Sequence, residues 1–283
     1  MTETAHDHLS HLPPAESRLG GIFARPKALA TVCVIALAGL GWAYLGLLTA
    51  GLSNPLSAFD ALCRAMADTS PGPAAIALVA LMWGAMTLAM MLPSAAPMIL
   101  TYAEIADAAA RKGERIVSPF VLAGGYTVIW FGFAAAATAA QLTLTRLALL
   151  DTGMASASGL FSGAIFIAAG LYQFSALKHA CLTQCRNPFQ FFFTNWATTP
   201  RGVFRLGLKQ GLFCLGCCWA MMAVMFAVGL MNVVWMAGLG IVMTLEKLGT
   251  GRAFTYTIGV VLIVAGVAFI ITSFLAHWPV RAI

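Results

Sequence analysis

Five of the seven cysteines crowd into one stretch of the chain, at Cys181, Cys185, Cys214, Cys217 and Cys218. Cys181 and Cys185 are one helical turn apart. Cys214, Cys217 and Cys218 stand at i, i+3 and i+4, so a helix presents them on one face. Met221 and Met222 carry that sulfur stripe one turn further, and His179 adds an imidazole beside the first pair. Thiolates and thioethers are soft ligands that select Cu(I), zinc or iron–sulfur clusters. Thiols deprotonate to bind metal, so a site with several is anionic; Lys178, Arg186 and Lys209 flank it and offset that charge. A reducing cytoplasmic setting favours a metal site over structural disulfides.

A second sulfur stripe precedes the first. Met86 and Met90 lie one turn apart, continuing Met82, and Pro93 and Pro97 follow. Proline removes a backbone donor and kinks a helix, which opens carbonyls toward a cavity. Met86, Met90, Met221 and Met222 are therefore candidate transfer ligands for Cu(I). Two bland readings stand beside these. Cysteine and methionine are common fillers of apolar helices, and Cys214-x-x-Cys217 is also a redox-type CxxC pair, without the βαβ context of thioredoxins.

The elements that must position these residues follow from composition. Of 283 residues, 60% are hydrophobic and 9% charged, against about 25% charged in soluble chains. Disordered and ordinary soluble classes are excluded. A nucleic-acid binder is excluded despite a net charge of +6, because the basic residues read as membrane flanks. The expected fold is all-α, a polytopic transmembrane helix bundle whose partner is the lipid bilayer. Residues 1–27 read as a polar cytoplasmic tail, 28–276 as the transmembrane helical domain and 277–283 as a short C-terminal tail. Apolar runs cover 28–50, 74–100, 117–142, 158–180, 207–230 and 254–276, with a shorter one at 231–246, giving six or seven spans. The basic residues then fall mainly on the side of the N-terminus, which makes the N-terminus cytoplasmic. The connection around 181–206 shares that side, and its aromatic run from Phe189 to Trp196 is expected at the membrane interface.

Weaker features carry less. His6, His8 and His11 form a polar tail motif able to hold a divalent metal loosely. Asp60, Arg64 and Asp68 read as a surface ion-pair ladder. Glu246-Lys247 closes the short apolar run and is expected to be a local pair at a boundary. There is no P-loop, no CxxCH haem motif and no Ser/His/Asp set, so the chain does not read as a hydrolase or an ATPase.

Four segments carry a resemblance: MTLAMMLPSAAP (86–97), YQFSALKHACLTQCRNP (172–188), GLFCLGCCWAMM (211–222) and MNVVWMAGLGIVMTLEK (231–247). With them the chain resembles a bacterial domain-of-unknown-function family of predicted metal-binding integral membrane proteins. The resemblance implies Lys178, Cys181, Cys185, Arg186, Cys214, Cys217, Cys218 and Trp219 as marked positions, and an inner-membrane location. His179 and the histidine tail lie outside that pattern. The expected function is Cu(I) handling (delivery, export or metallation of a partner) through a cytoplasm-facing cysteine cluster, with Trp219 shaping the site. Zinc is the alternative metal, and a metallochaperone or client metalloprotein is the expected partner. Two rivals remain: a membrane thiol-disulfide oxidoreductase using Cys214 and Cys217, and a structural membrane subunit with inert cysteines.

Overall fold

A computed structural model describes residues 72–113, 116–150, 158–230, 232–248 and 251–277, together with residues 32, 35, 36, 38–43 and 46. The described residues are all-helical. In chain order they form α1 (Pro73–Arg111), α2 (Pro119–Arg146), α3 (Gly159–Tyr172), α4 (Ala176–Arg186) and α5 (Pro188–Thr194). Then come α6 (Pro200–Ala223), α7 (Met225–Val228), α8 (Val233–Lys247) and α9 (Arg252–His277).

The starts are written locally. Proline opens α1, α2, α5 and α6, where its missing N–H has no intrahelical role. Ser118, Ser158, Ser175, Thr199 and Asn232 cap α2, α3, α4, α6 and α8, each accepting from a backbone N–H of the first turn. α1 continues through Pro93 and Pro97. Pro93 has no N–H for the carbonyl of Ala89, four residues back, and the indole of Trp42 donates to that carbonyl instead, at 3.0 Å.

Glycine brings the helices together. A Cβ on Gly163 would meet the Gly266 carbonyl at 2.7 Å, and one on Gly170 would meet the Gly259 carbonyl at 2.8 Å, so α3 and α9 pack backbone to backbone. α2 and α6 repeat the device: a side chain on Gly125 would strike the Phe204 carbonyl, and one on Gly207 the Leu122 carbonyl. Small residues at contacts are how helices associate where lipid removes the hydrophobic drive. The outward face of α9, with Val260, Val264, Val267, Ile271 and Phe274, is exposed and apolar. In water such a patch would be an aggregation site.

Four helical segments are long and apolar enough to cross a membrane: Pro73–Arg111, Pro119–Arg146, Pro200–Val228 and Arg252–Leu275. α3 and α4 make a fifth if taken as one span, bent by 64° at residues 173–175. The expected six or seven spans counted 28–50, which falls largely outside the described residues, and 231–246. The latter is α8, only 15 residues long. At 1.5 Å per residue it reaches about 22 Å, short of a hydrocarbon core of about 30 Å. His6, His8, His11, Asp60, Arg64 and Asp68 also lie outside the described residues. The aromatic run divides: Phe189 and Phe193 are exposed, whereas Phe191 and Phe192 are buried, and Phe192 packs on Tyr102 of α1.

Candidate metal centre

α4 and α6 lie side by side, and the two cysteine groups meet at their contact. The sulfurs of Cys185 and Cys217 are 4.0 Å apart, and those of Cys217 and Cys218 are 3.3 Å apart. The Cys217 thiol donates to the carbonyl of Cys214 at 3.2 Å. Four of the five predicted thiols thus form one connected group, and Cys214, Cys217 and Cys218 are buried. Cys181 occupies the edge of it, pressed on Gly216: a Cβ there would meet the Cys181 sulfur at 2.6 Å. The Tyr172 hydroxyl holds the same residue from its backbone, donating to the Gly216 carbonyl at 2.5 Å. Among the described residues, no three or more His, Cys, Asp or Glu side chains are arranged to hold an ion; the sulfurs of Cys185, Cys217 and Cys218 follow one another in a row.

Cys214 is the most heavily contacted thiol. Its sulfur lies 3.0 Å from the Tyr126 hydroxyl and accepts from the Lys247 ammonium at 3.0 Å. Lys247 also donates to the Ser94 hydroxyl at 2.7 Å, and Tyr126 donates to the Met91 carbonyl at 3.1 Å. Two helices therefore touch this sulfur of α6, α2 through Tyr126 and α8 through Lys247, and α1 holds both of those groups through Met91 and Ser94. An ammonium against a sulfur is a counter-charge for the thiolate that metal binding requires.

The expectation of a local Glu246–Lys247 pair at a boundary is overturned. Both side chains are buried, and they point to different partners. Glu246 pairs with Lys178 of α4 at 2.8 Å, while its backbone carbonyl accepts from Arg186 Nε at 2.7 Å. Neighbouring residues on a helix face apart by about 100°, so a consecutive Glu-Lys can serve two sites. The roles expected of the flanking cations change with this. Lys178 and Arg186 dock α4 onto α8, Lys209 is exposed, and the cation that touches sulfur is Lys247.

His179 does not join the sulfurs. Its ring packs edge-on against Tyr256 of α9, with centroids 5.2 Å apart. It stands two positions from Cys181, and helix residues two apart do not share a face. The methionines separate by role. Met221 accepts a hydrogen bond at sulfur from Gln173 Nε2, at 2.9 Å. Met222, Met86 and Met90 are buried in the apolar core, and Met90 lies across from Gly240 of α8. Met90 also lines an apolar cavity of about 410 Å³, with Trp42, Pro93 and Thr244. Trp219 is partly exposed and packs edge-on against Tyr172, with centroids 5.1 Å apart.

Lys247, Tyr126, Ser94 and Gln173 escape the reading of sulfur spacing. One signal pointed to the first: a charged pair inside an apolar run is a functional feature by default. No comparable signal marks Tyr126 or Ser94, whose roles depend on which helices become neighbours.

Among families of known proteins, the model of the PpoB2 family, described as copper chaperone, matches residues 80–269. The match takes in α4, α6 and α8 entirely, and with them every residue of the sulfur group and its charged neighbours. The chain finds no match among curated proteins or among solved structures. The matched stretch covers well over half of the sequence, and the chain belongs to the PpoB2 copper chaperone family.

Proposed function

We propose that this protein is a membrane-embedded Cu(I) carrier that receives the ion at the cysteine group between α4 and α6 and passes it to a client metalloprotein. The supporting observation is the joined set of Cys185, Cys217, Cys218 and Cys214, with the Lys247 ammonium on the last sulfur, in a member of a copper chaperone family. Soft thiolates in an apolar, buried setting favour Cu(I) over harder cations. Cys181, at the edge of the group, is a fifth sulfur that a small movement of α4 would bring in. Met221 and Met222 follow on the same helix, and Met86 and Met90 are buried on α1, Met90 beside Gly240 of α8; as neutral thioethers they hold Cu(I) weakly enough to release it. His179 is the one nitrogen donor in the expected set; its ring packs on Tyr256, and the sulfurs carry the proposed role.

The site belongs on the cytoplasmic side of a bacterial inner membrane in this reading, because basic residues gather around α4 and the start of α6. Metal content by mass spectrometry tests the proposal, on detergent-purified protein kept anaerobic and on a variant with all five cysteines changed to serine. Stoichiometric copper in the first, lost from a folded second, is the expected result. Absence of copper and zinc from both after reconstitution with Cu(I) and Zn(II) sinks it. A reversible Cys214–Cys217 disulfide in metal-free protein would then favour a thiol oxidoreductase.

A further inference from the structure

Lys247 places a buried positive charge against the sulfur of Cys214. The carboxylate beside it in sequence, Glu246, is taken by Lys178, and the other group on the ammonium is the neutral hydroxyl of Ser94. An uncompensated charge in an apolar interior is strongly unfavourable. The sulfur of Cys214, which the ammonium touches and the Tyr126 hydroxyl also meets, is placed to supply the balancing negative charge, and the ammonium in turn limits how much charge a bound metal can bring.

We propose that Lys247 sets the metal preference of the site, balancing a two-thiolate Cu(I) complex and leaving a two-thiolate divalent complex with an unpaired buried charge. The inference rests on the copper-carrying role proposed above. Cu(I) on two thiolates carries one net negative charge, which the ammonium cancels. Zn(II) on the same two thiolates is neutral, and the ammonium is then left alone in the interior. Thioethers from Met221 or Met222 add no charge and leave this balance unchanged. Among the described residues no three of these side chains are arranged to hold one ion, which suits a two-thiolate complex that includes Cys214, the sulfur on the ammonium. Binding changes no oxidation state, and any thiol proton that the metal displaces leaves to solvent. Ser94 and the Lys178–Glu246 pair serve by position. Ser94 holds the ammonium from α1, and the ion pair anchors the end of α8 so that Lys247 reaches Cys214.

The test measures both affinities on the full chain in detergent, under anaerobic conditions. Cu(I) is read by competition with bathocuproine disulfonate, and Zn(II) by competition with a chromogenic zinc chelator. Lys247→Gln keeps a hydrogen-bond donor and removes the charge. It is expected to weaken Cu(I) by roughly tenfold or more, with Zn(II) unchanged or tighter. Lys247→Arg keeps the charge and is expected to keep the wild-type preference. A folded Lys247→Gln that binds both metals as the wild type does, or loses both equally, overturns the inference. If that variant does not fold, Lys247→Met is measured in its place with the same expectation, and the wild type offered both ions is expected to take Cu(I). Equal occupation by Zn(II), as three thiolates would allow because their zinc complex carries one negative charge for the ammonium to cancel, overturns the inference too. A wild type that binds neither ion, or a five-serine variant that still binds Cu(I), overturns the copper role and this inference together. Copper bound normally by both wild type and Lys247→Gln overturns only the inference.

Discussion

Lys178 of α4 and Glu246 of α8 form an ion pair at 2.8 Å, both side chains shielded from solvent. Glu246 binds α4 a second time through its backbone carbonyl and Arg186, at 2.7 Å. Buried pairs of this kind are poor net stabilisers, yet breaking one side leaves a bare charge in the interior. The single variants Lys178→Met and Glu246→Leu should each lower stability by about 3–5 kcal/mol. The double variant Lys178→Met/Glu246→Leu should recover much of that loss. Thermal unfolding of the four proteins in one detergent checks this as a double-mutant cycle. Losses that simply add would show that the two side chains act separately.

Gly216 gives the Cys181 sulfur its place, since a methyl group there would stand 2.6 Å from it. Cys181 has one short side-chain bond and little room to swing aside. Gly216→Ala should therefore push α4 away from α6 and lower stability by about 1–3 kcal/mol. The same displacement should expose Cys181 and raise its rate of labelling by a maleimide. An unchanged labelling rate would mean that the helices absorb the methyl group without separating.

The convergence of thiols was legible because it needs little tertiary knowledge. The spacing i, i+3, i+4 aligns Cys214, Cys217 and Cys218 on any helix, and a chain that turns back brings Cys185 to the same depth. Helix starts follow a local rule too, through proline and capping residues, but apolar runs do not locate them: α6 begins at Pro200, before the run at 207–230. The place of His179 was less legible, because adjacency in sequence is not adjacency in space, and the helix turns its ring toward Tyr256. Lys247 was misread because its partner lies 33 residues away on another helix. That contact depends on α8 being a short helix that ends level with Cys214, which hydropathy alone does not specify. The number of spans was blurred by α8 for the same reason, and by the bend between α3 and α4.

Trp42 repairs the gap that Pro93 leaves in α1, donating to the Ala89 carbonyl at 3.0 Å. Trp42→Phe keeps an aromatic ring and deletes the donor. It should lower stability by about 1–3 kcal/mol, the usual effect of a carbonyl left without a partner in an apolar setting. The mutation should also loosen α1 around Pro93. Amide hydrogen exchange across residues 89–97 reads this directly, and protection equal to wild type in that segment would contradict the bond's role.

Met221 and Met222 are adjacent, both buried, and differ in one contact: the Met221 sulfur accepts from Gln173 Nε2 at 2.9 Å. Leucine is close to methionine in volume, so Met222→Leu should change stability by less than about 1.5 kcal/mol. Met221→Leu removes the acceptor as well and leaves the buried Gln173 amide without its partner, adding about 1–3 kcal/mol. Gln173→Leu on the Met221→Leu background removes the stranded donor and should return most of that difference. The same variants separate packing from copper transfer. If the Met221 sulfur takes part in transfer, Met221→Leu slows the passage of Cu(I) to a soluble acceptor chelator, and the added Gln173→Leu does not restore the rate. Full restoration by Gln173→Leu would confine Met221 to a structural role.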